Sequence, residues 1–118
     1  MSIAAQIAVA IVALIHVYIL VLEMFLWDKP AGMRVFKLTP ERAKDTKVLA
    51  ANQGLYNGFL AAGLFWSVFA GSHAILIGHF FLICVFVAGL YGAATVSRKI
   101  LFVQSVPAAI ALVLMLMH

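Results

Sequence analysis

Asp28-Lys29-Pro30-Ala31-Gly32-Met33-Arg34-Val35-Phe36-Lys37-Leu38-Thr39-Pro40-Glu41-Arg42-Ala43-Lys44-Asp45-Thr46-Lys47 holds six of the eight Lys and Arg residues of the chain and three of its four acids. Around this stretch the sequence is almost free of charge. Sixty-six per cent of the residues are apolar and 10% are charged, which leaves a soluble domain of this size too little polar surface to clothe its core. A helix needs about 20 apolar residues to cross the hydrocarbon of a bilayer, and four runs approach that length: 3–27, 47–70, 74–96 and 100–117. What remains is the basic stretch and two turns, Gly71-Ser72-His73 and Ser97-Arg98-Lys99. The composition therefore predicts an all-α integral membrane four-helix bundle, one domain over residues 1–118.

The cations orient it. Arg98 and Lys99 are the only basic residues outside the first loop, so the positive-inside rule places the first and third connections in the cytoplasm and both termini outside. The first run is read as a retained span, because no Lys or Arg precedes it, it is longer than a signal-peptide core, and no small-x-small cleavage site follows it before Trp27-Asp28. A net charge of +4 is explained by this topology and by attraction to anionic headgroups, so membrane lipids are expected as partners and nucleic acid is not. Cys84 is the single cysteine; it excludes an internal disulfide and a Cys-rich metal site, and no metal ligand set is assigned.

The basic loop has local order of its own. Lys29-Pro30-Ala31-Gly32 turns the chain, and Met33, Val35, Phe36 and Leu38 interleaved with Arg34 and Lys37 suit a segment lying at headgroup level. Thr39-Pro40 reads as a helix N-cap followed by Pro at the first helical position, with Glu41 favourable in the first turn. A helix starting there would carry Glu41 to Lys47 as a charged stub projecting roughly 10 Å past the bilayer core. That stub is either a solvated helix end or, with Arg34, Arg42 and Lys47, a rim of cations that recruits an anionic substrate.

Polar residues inside apolar spans are costly and call for a reason. His16 and Glu23 fall two turns apart on one stripe of the first run, beside Val12 and Trp27. Glu23 either reaches the interface near Trp27 or is held inside the bundle by hydrogen bonds or an ion pair. In the second run Ala50, Gly54, Gly58 and Ala62 recur every four residues, a small-residue stripe that lets helices approach closely in lipid. Gly54, Gly58 and Ala62 are thus the expected helix-packing residues. Asn52 and Tyr56 mark nearly the opposite side, while Asn57 adjoins the stripe and is expected to bond a neighbouring backbone. A helix marked on two faces should be central to the fold or to an oligomer. In the fourth run Pro107 withdraws the donor for the Val103 carbonyl and predicts a kink.

Depth sorts these residues. With odd runs directed inward and even runs outward, Glu23, Asn52, Gln53, Tyr56, Asn57, Tyr91, Thr95, Gln104 and Ser105 all lie in the cytoplasmic half. The candidate site is a polar pocket of Glu23, Asn52, Tyr56, Tyr91 and Gln104 opening to the cytoplasm beneath the basic loop. A structural hydrogen-bond network has the same sequence signature.

Four blocks in order carry a resemblance: Leu26-Trp27-Asp28-Lys29-Pro30 with Arg34-Val35-Phe36; Ala51-Asn52-Gln53-Gly54-Leu55-Tyr56-Asn57-Gly58; Ala88-Gly89-Leu90-Tyr91-Gly92; and Gln104-Ser105-Val106-Pro107-Ala108. Together they resemble the small bacterial membrane proteins grouped as domain of unknown function 1304. The resemblance implies a multi-pass protein of the bacterial cytoplasmic membrane and carries no activity with it. At the level of fold the chain is also similar to the MAPEG superfamily of glutathione- and eicosanoid-handling membrane enzymes, with Arg42 and Asn52 looking like that superfamily's Arg and Asn. It departs from that pattern at Leu55, where the superfamily has a Glu. This likeness implies a homo-oligomer, a trimer, acting on lipophilic substrates, with Tyr56 or Tyr91 stabilising a thiolate or oxyanion.

Three classes of function follow. The first is a non-catalytic membrane component of undetermined activity, with a cytoplasm-facing polar pocket and a helix-association surface. The second is the MAPEG-like enzyme. The third is a small proton-coupled transporter, for which Glu23 in the first of four spans invites comparison with small multidrug transporters. Haem is disfavoured because His16 and His79 differ in depth by roughly 10 Å, and no cofactor is assigned.

Overall fold

Each long apolar run becomes a helix, and the polar linker contributes a further short one. The computed structural model describes residues 1–117. Its helices are α1 (Ile3–Met24), α2 (Pro30–Phe36), α3 (Pro40–Phe69), α4 (Ala74–Thr95) and α5 (Val106–Leu116), with a 3-10 turn at Gly71–His73 and a π-helical segment at Leu101–Ser105. No strand occurs among the described residues, and the protein is all-α.

Two helical stretches are long and apolar enough to cross a membrane, Ile3–Met24 with 22 residues and Gly71–Thr95 with 25. The other two expected spans fall short, for different reasons. α3 has ample length at 30 residues, but Asn52, Gln53 and Asn57 dilute its apolar part and charges crowd its first two turns. Leu101–Leu116 is apolar but shorter.

α1 ends at Met24 and not at residue 27 as the apolar run suggests. The N–H groups of Phe25 and Leu26 both turn back to the Val21 carbonyl, at 3.0 and 3.2 Å, and Lys29 N–H closes the next turn on Leu26. The segment from Lys29 to Lys37 is more ordered than its pattern of apolar and basic residues implies. Pro30 starts α2 at a position where its missing N–H costs nothing, and Lys37 closes it in the left-handed conformation at φ 54°. α3 begins at Pro40, with Thr39 Oγ1 accepting from Arg42 N–H at 3.2 Å.

The contacts divide the chain into two compact units. The first joins Met1–Ile15 to the chain from Leu60 onward. Its core is Ala5, Val9, Val12 and Ala13 of α1, Leu64 of α3, Leu82 and Val85 of α4, and Ala108, Ala111 and Met115 of α5. The α1 set repeats at helical spacing, which places all four on one face. Small residues decide the approach of α4 to the π-helical segment: a Cβ at Gly89 would collide with the Ser105 hydroxyl and lie 2.7 Å from its main-chain nitrogen. The Ser105 hydroxyl donates to the Phe86 carbonyl at 2.9 Å.

The π-helical segment sits at the position where Pro107 predicted a kink. Val106 N–H reaches back five residues to the Leu101 carbonyl, widening the turn that the proline ring would otherwise crowd.

The second unit is His16–Phe59, comprising the C-terminal part of α1, α2 and the first two thirds of α3. Ala43 and Ala50 of α3 and Leu22 of α1 are fully buried in it. A Cβ at Gly54 would stand 2.5 Å from Met24 Cγ and 3.3 Å from the Leu20 carbonyl, and one at Gly58 would stand 2.8 Å from Leu20 Cδ1. Gly54 and Gly58 therefore sit where α1 and α3 press together. Ala62 does not continue that line; it is exposed, and Ala61 is buried instead. A four-residue repeat drifts by about 40° per step on a helix of 3.6 residues per turn, so three steps carry Ala62 about 120° away from Ala50.

Candidate functional site

The unit His16–Phe59 contains the acid that sequence alone singled out, and the structure gives it a partner. Glu23, in the last turn of α1, is 7% exposed. Its Oε1 accepts a hydrogen bond of 2.6 Å from Asn57 Nδ2 on α3. Gly54, one turn before Asn57, makes this possible, because a Cβ at that position would meet Glu23 Cβ at 3.2 Å. Of the two fates open to Glu23, burial inside the helix pair is the one adopted. His16, two turns earlier on the same stripe, is fully buried as well.

Below this pair, polar contacts fasten the ends of the basic loop. Trp27 Nε1 donates to Thr46 Oγ1 at 3.0 Å, and that hydroxyl donates to the Arg42 carbonyl at 2.6 Å. The Trp27 ring lies 4.7 Å from that of Phe36 in α2. Asp28 pairs with Lys47 at 3.0 Å, and the Lys47 ammonium bonded to it holds the Asp28 carboxyl below the ordinary carboxylate range. The turn closes tightly over Gly32, since a Cβ there would run into the Leu26 carbonyl and stand 2.9 Å from the Trp27 Cα.

The remaining expected site residues are distributed differently. Asn52 and Tyr56 are exposed on α3 and do not join Glu23: Asn52 is five residues before Asn57, about 140° around the helix. Tyr56 packs instead on Phe59, ring centroids 6.0 Å apart. Tyr91 is 72% exposed on α4 and Gln104 is half-buried in the π-helical segment; both belong to the other unit. Arg34 and Arg42 are exposed, and Lys47 is engaged by Asp28. His79 Nδ1 is 2.9 Å from the Ile75 carbonyl, one turn back on its own helix. Among the described residues no three His, Cys, Asp or Glu side chains gather as a metal site would need.

Asn57 is the residue that sequence reasoning undervalued. Its position beside the small-residue stripe suggests a bond to a neighbouring backbone, whereas it bonds the Glu23 side chain. The available signal was its place beside Gly54 and Gly58, which mark the line of closest approach. Chemically, the pair is a buried carboxyl oxygen held against a fixed neutral amide donor.

Residues 10–116 match the family described as "Protein of unknown function (DUF1304)". The chain belongs to that family. This family member is also 35% identical over 115 residues to "Uncharacterized protein YpaA" of Lactococcus lactis subsp. lactis (strain IL1403), covering 96% of this chain and 97% of the relative. No solved structure matches it. The four sequence blocks quoted above lie within the matched residues, and the second of them contains Asn57 and the glycines that seat it.

Proposed function

We propose that this DUF1304 protein is a multi-pass protein of the bacterial cytoplasmic membrane, with four spans, both termini outside and the basic loop in the cytoplasm, and that Glu23 with Asn57 is its working group. The carboxyl takes up a proton from the cytoplasmic side and releases it in exchange for a small cation, so that proton movement is coupled to solute movement. The observation that carries this reading is the 2.6 Å bond from Asn57 to the buried carboxylate of Glu23. An ionisable group in a membrane-spanning helix is retained at a cost and marks a pathway or relay by default. A neutral amide orients the acid without cancelling its charge, which leaves neutralisation to a proton or a cation.

The test uses the full chain in sealed liposomes with a trapped pH-sensitive dye. Addition of sodium or a small organic cation should release protons at a rate that is lost in Glu23→Gln and kept in Tyr91→Phe. Equal dye responses from wild-type, Glu23→Gln and empty liposomes would overturn the reading.

A further inference from the structure

The exposed face of α3 carries amides where a lipid-facing helix should carry none. Asn52 is exposed, with Gln53 beside it. The side chains around Asn52 on that face are apolar and strongly exposed: Val48 at 83%, Leu55 at 43% and Phe59 at 56%. Ala62, Trp66 and Phe69 are exposed further along the same helix. The positions 48, 52, 55, 59, 62, 66 and 69 are spaced alternately by four and three residues, the spacing of a seam on which two helices pack. Counted from Lys47, Asn52 lies roughly 7 Å further along the helix, past the charged turns and within the apolar part.

A primary amide is self-complementary, because each copy supplies both an N–H donor and a carbonyl acceptor. It can pair with its own copy only if the two meet at the same depth. The one-sided distribution of Lys and Arg orients every copy alike, so Asn52 of one chain and Asn52 of another sit at one level.

We infer that α3 is the association helix of this protein: it packs in parallel against α3 of a second copy, with Asn52 bonding Asn52 across the contact and Val48, Leu55 and Phe59 closing around it. The inference rests on the membrane topology proposed above and is independent of proton exchange at Glu23.

The test is disulfide trapping in membranes on a Cys84→Ser background. Val48→Cys and Phe59→Cys, on the seam, should give a species of twice the monomer mass on mild oxidation. Leu76→Cys of α4 and Ile110→Cys of α5, also exposed at 74% and 54%, should stay monomeric. Asn52→Leu introduced into the Phe59→Cys protein should lower the trapped fraction as a roughly three- to tenfold weaker association would, the range for one interhelical hydrogen bond in a bilayer, while Asn52→Gln should restore most of it. Seam variants that remain monomeric would show that lipid covers this face. Trapping at all four positions alike, or trapping of a species with a different mass, would equally overturn the inference. Loss of the protein from the carbonate-washed membrane fraction would instead overturn the membrane topology itself.

Discussion

Asn57 Nδ2 and Glu23 Oε1 are 2.6 Å apart across a sequence separation of 34 residues, so one amide joins the end of α1 to the middle of α3. Asn57→Leu removes the donor but leaves the buried acid, and should cost about 1.5–3 kcal/mol, the worth of a hydrogen bond to a charged group. A double-mutant cycle with Glu23→Leu, which removes the acceptor, read from unfolding in mixed detergent micelles, should return a coupling of the same order. Additive single-variant effects would mean that the two side chains do not act as a pair.

Gly89→Ala should be among the most damaging of the single-methyl changes. The added carbon meets the Ser105 hydroxyl and main-chain nitrogen, and backbone cannot swing aside as a flexible side chain can. A loss of about 1–3 kcal/mol is expected from overpacking, visible as a lowered melting temperature. Ser105→Ala alone should cost less, about 0.5–1.5 kcal/mol for one neutral hydrogen bond.

Asp28 gives a pH dependence with a definite sign. Its carboxyl is held below its ordinary value by Lys47, so the folded state favours the ionised form. The stabilising contribution is complete above the unfolded-state value, about 4, and is lost as the pH falls through the lower folded-state value. The melting-temperature gap between wild type and Asp28→Asn should therefore be constant near neutrality and shrink progressively below about pH 4. Because the pair is exposed, added salt should narrow the gap at any pH. A gap that widens on acidification would contradict the assignment.

Gly32→Ala should loosen the turn that seats Trp27 and α2. Its Cβ meets main-chain atoms of Leu26 and Trp27, so relief requires that backbone to move. In a Trp66→Phe background, Trp27 fluorescence should shift towards longer wavelength as the indole leaves Thr46 and Phe36. An unchanged emission spectrum would show that the turn adapts without releasing the ring.

How much of this could be read from the residues alone depended on the range of the interaction. Thr39-Pro40 marked the start of α3 because capping is local chemistry. That His16 and Glu23 share one stripe followed from helical periodicity, which needs no knowledge of the neighbour; that Glu23 is buried and does not reach out beside Trp27 did not follow. Partner choice did not follow. Asn52 and Asn57 are the same residue type five positions apart; one is exposed and the other faces an acid, and only the docking angle of α1 decides between them. The π-helical segment was half visible: Pro107 announced a disturbance, but the close approach of Gly89 to Ser105 beside it depends on how α4 packs there. The helical form of α2 was not legible, because seven residues are too few to display a period.

The Trp27 bond to Thr46 and the Asp28 pair with Lys47 close the chain on itself between residues 28 and 46, turning the most basic stretch of the molecule into a ring. Trypsin must bind several residues in extended form around the bond that it cuts. Exposed as Lys29, Arg34, Lys37, Arg42 and Lys44 are, each lies in or at the edge of a helix within that ring. Digestion of intact protein should then be all-or-none: long resistance, followed by rapid loss of the whole segment once either fastening opens, with no ladder of partial products.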